Sequence, residues 1–171
     1  MPEQSTNLCS AGIIIYCRHT SQWLKASIDK RSEAASNYRA ELLGAIMALL
    51  IIGAATAGVT LPQPCMILFC DNNGVLSHGN SPRTSLPKKQ QQADLIWLVK
   101  YLFSSSICPI KWKWVEGHAV EQNGWSNSSL TERLNHQADI LAKDALLAGL
   151  NGAPLMEGDF PLEPVRIKLS S

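Results

Sequence analysis

Apolar residues fall in short blocks along this chain, and their spacing predicts strands alternating with helices. Ala11 to Cys17 (AGIIIYC) is rich in β-branched residues and predicts a strand, with Gln22 to Ile28 placed to return beside it as a hairpin. Tyr38 to Ala57 predicts a long helix, apolar on every side beyond Glu41. Pro62 and Pro64 close the connection to Cys65 to Cys70 (CMILFC), a continuous apolar run that predicts a short strand covered on both faces. Gly74, Gly79, Pro82 and Pro87 mark a loop-rich passage around a short helix. In Lys88 to Ser104, Leu95, Leu98, Val99 and Leu102 recur at helical spacing. Ile110 to Val115 (IKWKWV) alternates, which puts Ile110, Trp112 and Trp114 on one face and Lys111 and Lys113 on the other. Gly117 to Leu130 reads as a polar loop. Ser129, with Glu132 three residues on, forms a capping box that opens a helix running to Leu150. Past Gly149 the chain turns Gly- and Pro-rich, except for a strand-like stretch at Val165 to Leu169. No internal repeat or low-complexity tract is present. The alternation predicts an α/β fold over residues 1–148, followed by a tail over 149–171.

Composition narrows the classes. The 171 residues carry 15 Lys+Arg against 14 Asp+Glu, a formal charge of +1, with 46% hydrophobic and 17% charged residues. That excludes a disordered tail and a generally basic nucleic-acid-binding chain. A chain of this length buries roughly 70% of its unfolded surface, enough for one sizeable core. Five cysteines (Cys9, Cys17, Cys65, Cys70, Cys108) include no CxxC pair and lie in or beside apolar stretches. They read as reduced core residues of a cytoplasmic or nuclear protein. MPEQSTNLCS has neither the basic start nor the apolar run of a signal peptide. Leu42 to Leu61 is twenty residues without a charge, long enough to span a membrane. Gly44, Gly53 and Gly58 dilute it, Glu41 sits on the first turn, and Lys or Arg does not flank both ends. A buried central helix is therefore expected, with no membrane partner.

The candidate chemistry is acidic and sits at element ends. Asp71 follows a strand and would project at the carboxyl edge of a sheet, where α/β folds build their sites; such a residue also serves as an ordinary loop cap. Glu41 is the only charge at the start of a long apolar helix, a position that the helix dipole favours for an acid. Asp139 shares a helix face with Asn135, and its plainer role is an intrahelical pair with Lys143. Three carboxylates from separate elements would need a cation if they converge, and oxygen ligands select magnesium or manganese over zinc. His118 stands in the loop after the Trp-rich run, and no Cys/His spacing makes a zinc site. GxSxG, Walker A and GxGxxG patterns are absent.

Four stretches occur in a recognisable order. They are Asn37-Tyr38-Arg39-Ala40-Glu41-Leu42, Asp71-Asn72-Asn73, Ile110 to Ala119 (IKWKWVEGHA), and Asn135 to Ala142 (NHQADILA). In this order the chain resembles type 1 ribonuclease H from about Ala11 to Leu147, and Asp94-Leu95-Ile96-Trp97 looks like that family's substrate-side helix. The resemblance implies a ribonuclease H-like mixed five-stranded sheet flanked by helices. It also implies a site that binds two divalent ions, Mg²⁺ or Mn²⁺, and hydrolyses the RNA strand of an RNA/DNA hybrid. Carried over by position, Glu41, Asp71 and Asp139 are the metal-binding carboxylates, and His118 assists proton transfer or product release. Asn37, Asn73 and Asn135 fall on the substrate side, where minor-groove 2′-hydroxyls distinguish RNA from DNA.

The chain also departs from the family. The family opens with a strand bearing an Asp ahead of the run that AGIIIYC resembles, but here no Asp precedes Asp29, and Glu3 lacks the context to replace it. The first strand and its carboxylate are therefore expected to be missing. This fits a piece of a longer protein, such as the ribonuclease H region of a retroelement polyprotein, with a reverse transcriptase domain as partner. His118 and Asp139 lie 21 residues apart, a longer separation than the family's. The expectation is a nuclease, with a non-catalytic ribonuclease H-like module that contacts nucleic acid or a reverse transcriptase as the alternative. At +1 overall, affinity for phosphate would rest on Lys88, Lys89, Lys111 and Lys113 and weaken with salt.

Overall fold

The structure is a computed structural model that describes residues 8–18, 20–32, 35–57, 66–81 and 91–151. The predicted hairpin forms from β1 (Leu8–Cys17) and β2 (Gln22–Arg31), antiparallel, with Ala11 opposite Ile28 and Cys17 opposite Gln22. Alternate positions of the hairpin, Ala11, Ile13, Ala26 and Ile28, are buried against Met47 and Ala48 of α1 (Asn37–Thr56). Ser36 caps α1 by accepting the Arg39 amide at 3.1 Å. The apolar residues of α1 are spread around the helix because neighbours surround it, with Leu42, Leu43 and Ile46 buried against Leu95, Ile96 and Val99 of α3 (Ala93–Ser104). Each such side chain contributes about 1.5–3 kcal/mol on burial. The part of the long uncharged stretch that lies in α1 thus supplies the centre of a packed core.

β3 (Met66–Cys70) pairs in parallel with β4 (Ile110–Trp114), with Leu68 opposite Trp112. α2 (Asn73–Gly79) and α3 cover one face of this pair. Gly79 lies so close to the Trp112 indole that a Cβ there would come within 2.5 Å of it. Two short elements, α4 (Ala119–Asn123) and a 3-10 turn (Trp125–Asn127), lead to α5 (Leu130–Leu150). The Ser129/Glu132 capping box is present in full at the start of α5.

The architecture is mixed α/β, as expected, but among the described residues the strands form two separate pairs, β1–β2 and β3–β4, rather than one sheet. α1 and α5 hold the pairs from opposite sides. Gly44 of α1 meets Ala11, while the next residue, Gly12, meets Ala138 of α5. Adjacent strand residues face opposite ways, so the two helices sandwich β1. Between β1 and β3, with α1 above and α5 below, runs a groove of about 650 Å³.

Several expectations are corrected. β3 is not covered on both faces, because α5 leans on β1 and β2 and scarcely reaches it, which leaves Ile67 and Phe69 exposed. Of the residues expected on one face of β4, Trp112 is buried, whereas Trp114, at the end of the strand, is about half exposed. The stretch 117–130 is not a plain loop: Ala119 and Val120 are buried and anchor α4. Cys9 and Cys108 are buried thiols, but Cys17 is exposed at the end of β1 and Cys70 is only partly covered. Cys65, Lys88, Lys89, the prolines at 62, 64, 82 and 87, and the tail from 152 onward lie outside the described residues.

Candidate metal centre

The site grows from the end of β3. The Val115 amide donates to the Cys70 carbonyl at 3.2 Å, so the β3–β4 pairing extends to the residue before Asp71. Asn72 then turns the chain away by accepting the Gly74 and Val75 amides at 2.9 and 3.3 Å, which caps α2. Asp71 is left at the strand edge. Gly117 backs it so closely that a Cβ there would stand 3.0 Å from Asp71 Oδ2.

Glu41 comes from α1. It lies just past the first turn, one residue further in than the sequence predicts, since α1 begins at Asn37 and has no acid in its first turn. The helix dipole fades within that turn, so it does not account for Glu41. One ligand atom each from Glu41, Cys70 and Asp71 lie within 4.8 Å of one another. The third acid arrives on α5. There Asn135 Nδ2 donates to Asp71 Oδ2 at 3.3 Å, which ties the helix to the end of β3, and Asp139 stands one turn further along.

The electrostatics show the crowding. Burial pushes Glu41 from its ordinary 4.5 up to about 7, helped by the charges of Asp71 and Asp139. Asp139 is raised as well, first by burial and then by Asp71, while His118 and Lys143 pull it down. Burial pushes the Cys70 thiol up to about 12, so it stays protonated at neutral pH and donates to Glu41 Oε2 at 3.8 Å. Acids gathered this tightly favour a bound cation. A carboxylate set with a neutral thiol offers oxygen donors of the kind that hard divalent ions take.

The other predicted residues lie around this cluster. His118 is exposed, has a left-handed backbone (φ 57°) and caps α4. Its Nδ1 is 3.6 Å from Glu121 Oε1, and the same oxygen is 3.3 Å from His136 Nδ1 on α5. Trp125 meets His136 edge-on at 6.4 Å, and the Arg133 guanidinium lies 5.6 Å over Trp125. The extra length between His118 and Asp139 is thus folded back onto α5. Asn37 and Asn73 are exposed at the starts of α1 and α2, which are held together by the Tyr38 ring, 3.0 Å from where a Gly74 Cβ would be. Asn135 is partly buried and turned onto Asp71.

Cys70 and Gly117 are the site residues that sequence reasoning missed. A signal for Cys70 was its place directly before Asp71 at the strand end. Its side chain packs toward α1, where it meets Glu41.

The raised Glu41 predicts a pH dependence. Its protonated form is favoured in the fold, so that stabilisation is complete below about 4.5 and is lost as pH rises through about 7. Without added metal, the urea midpoint should be higher at pH 5 than at pH 8, by on the order of 2 kcal/mol in stability. Glu41→Gln should flatten this profile, and Mg²⁺ should recover stability at pH 8. An identical slope in the Gln variant would exclude Glu41 as its source.

No family model matches this chain, and no curated protein matches it. Among solved structures it is similar to the N-terminal ribonuclease H domain of Rv2228c from Mycobacterium tuberculosis, determined as a fusion with maltose-binding protein. The identity is 18%, over 88% of this chain and 100% of that one, with a TM-score of 0.46.

Proposed function

We propose that this chain is a ribonuclease H-type domain that binds divalent cations at Glu41, Asp71 and Asp139 and acts on RNA/DNA hybrids. One observation carries the reading. Glu41 and Asp71, from motifs distant in sequence, come within 4.8 Å of each other at one end of the β1–β3 groove, Asp139 lies near enough for its charge to raise Glu41, and Asn135, one turn before it, is bonded to Asp71. A pair of divalent ions held there would supply activation of the attacking water and charge stabilisation of the leaving 3′ oxygen. Glu41, Asp71 and Asp139 hold the cations, and Asn135 fixes the orientation of Asp71. His118, exposed beside the cluster, exchanges a proton with solvent or product. Asn37 and Asn73 face the minor groove of the hybrid and read its 2′-hydroxyls. Lys111 and Lys113, exposed on β4, give salt-sensitive contacts to phosphate. The proposal extends to a retroelement origin, a reverse transcriptase domain as partner, and a cytoplasmic or nuclear setting.

A specific observation favours the alternative, a non-catalytic module that binds the hybrid. β1 and β3 do not pair, so among the described residues the acids border an open groove instead of a closed sheet. Incubating the full chain with labelled hybrid and Mg²⁺ separates the readings, with single-stranded RNA and duplex DNA as comparisons. Hybrid-selective cleavage to 5′-phosphate products is expected. Binding without cleavage supports the module, and neither binding nor cleavage overturns both.

A further inference from the structure

The stretch that lengthens the chain between His118 and Asp139 gathers two imidazoles around one carboxylate. Glu121, on α4, places its Oε1 3.6 Å from His118 Nδ1 and 3.3 Å from His136 Nδ1. The three residues have separate anchors. His118 caps α4 with a left-handed backbone (φ 57°), Glu121 lies in the first turn of that helix, and His136 comes from α5. Trp125 meets the His136 ring edge-on at 6.4 Å and is itself held by Arg133, whose Nε donates to the Ser128 carbonyl at 2.8 Å. His136 Nδ1 is buried yet makes no hydrogen bond: Glu121 Oε1 is near enough, but the two are not aligned for one. A buried nitrogen left without a bond calls for an explanation, and a ligand that it is free to bind supplies one.

We propose that His118, Glu121 and His136 form a binding site for a zinc-class divalent ion. Two imidazole nitrogens and one carboxylate oxygen are a donor set that Zn²⁺ takes, whereas Mg²⁺ prefers oxygen alone. Bonds of about 2.0–2.1 Å in a tetrahedral array put neighbouring ligand atoms roughly 3.3–3.4 Å apart. The 3.3 and 3.6 Å separations at Glu121 therefore already match two of the three edges such a set needs. The third edge, between the imidazoles, is wider, since among the described residues only Glu41, Cys70 and Asp71 have all their ligand atoms within 4.8 Å. His118 can close it. Its side chain is 68% exposed and has room to turn, while that of His136 is 22% exposed and packed on Trp125. A bound ion would tie α4 to α5 and leave a position open to solvent. Spacing along the chain conceals this site, because no cysteine takes part and the second imidazole comes from another helix. Asp139 senses the charges of His118 and Glu121, so the ion would lie within electrostatic reach of the acidic cluster while sharing none of its residues. The inference is independent of the proposed nuclease activity.

Zn²⁺ titration of the full chain in excess Mg²⁺, followed by calorimetry and by the histidine ring signals in NMR, tests it. One Zn²⁺ is expected to bind, with the ring signals of His118 and His136 shifting together and that of His78 standing still. Glu121→Gln and His136→Gln should each weaken binding about tenfold or more, at least the loss that follows removal of a group that merely supports a ligand. Glu121 is 42% exposed, so its variant should keep the fold, which the unshifted His78 signal and the urea midpoint both check. The same titration of Cys70→Ser reads the thiol beside Glu41, the other position that attracts Zn²⁺. Unchanged affinity in Glu121→Gln overturns the proposal. So does binding that is lost in Cys70→Ser but kept in His136→Gln, which would assign Zn²⁺ to the acidic cluster, and so does a parent chain that binds no Zn²⁺. Because the readout involves no catalysis, each result leaves the nuclease reading to be judged by its own assay.

Discussion

Gly12→Ala is expected to lower the stability of this chain by about 3 kcal/mol or more, and Gly12→Val to prevent α5 from docking. A Cβ on Gly12 would fall 1.9 Å from the Ala138 carbonyl oxygen and 3.0 Å from the Ala142 amide nitrogen. Both atoms belong to the α5 backbone, so no side chain can swing aside. The helix must move as a body. Displacing it breaks the Ser10 Oγ to Ala142 carbonyl hydrogen bond at 2.7 Å and draws Asn135 and Asp139 away from Asp71. Against a total stability of about 5–15 kcal/mol, that loss is large. Gly53→Ala provides the contrast. No atom lies within 4 Å of a Cβ on Gly53, which is exposed in the interior of α1, so alanine there should add about 0.5–1 kcal/mol by helix propensity. Urea titration of both variants checks the pair, and equal midpoints would mean that α5 does not rest on β1 as described.

How much of this was legible in the residues depended on whether local signals carried it. The hairpin, the strand after Pro64 and α5 with its cap follow from β-branched runs, proline and the Ser129/Glu132 pair, and all three are present. Positions set by long-range packing were not legible. Ile67 and Phe69 look as buried as Leu68 in the sequence, and only the lean of α5 toward β1 and β2 exposes them. α4 was hidden because Ala119 and Val120 are two apolar residues in a polar stretch, too few to show a helical period. Motif order pointed to the three acids, but the thiol beside Glu41 and the close approach of Gly117 to Asp71 arise from tertiary contact. The separation into two strand pairs is of the same kind, since strand pairing is a property of neighbours in space.

Asp71→Asn carries the largest expected effect on function, because Asp71 is the hub of the acidic cluster. Its charge helps raise both Glu41 and Asp139, Asn135 donates to it, and Gly117 packs behind it. Asparagine keeps the shape and leaves a carbonyl oxygen to accept from Asn135, so the fold should survive. Removing the charge has opposite effects on the two states of the site. In the metal-free chain it relieves repulsion, which should bring Glu41 down toward its ordinary range and leave stability at pH 8 equal or higher. In the metal-bound chain of the proposed function it would delete an anionic ligand shared with Glu41, so Mg²⁺ binding measured by calorimetry should fall below detection. Mg²⁺-dependent hybrid cleavage should then drop by about a thousandfold or more, as loss of several kcal/mol of charge stabilisation requires. Denaturation and calorimetry together distinguish a lost ligand from a lost fold. A variant that is no less stable yet has lost its Mg²⁺ affinity places the cation at Asp71, whereas unchanged affinity means that Glu41, Asp71 and Asp139 do not share an ion.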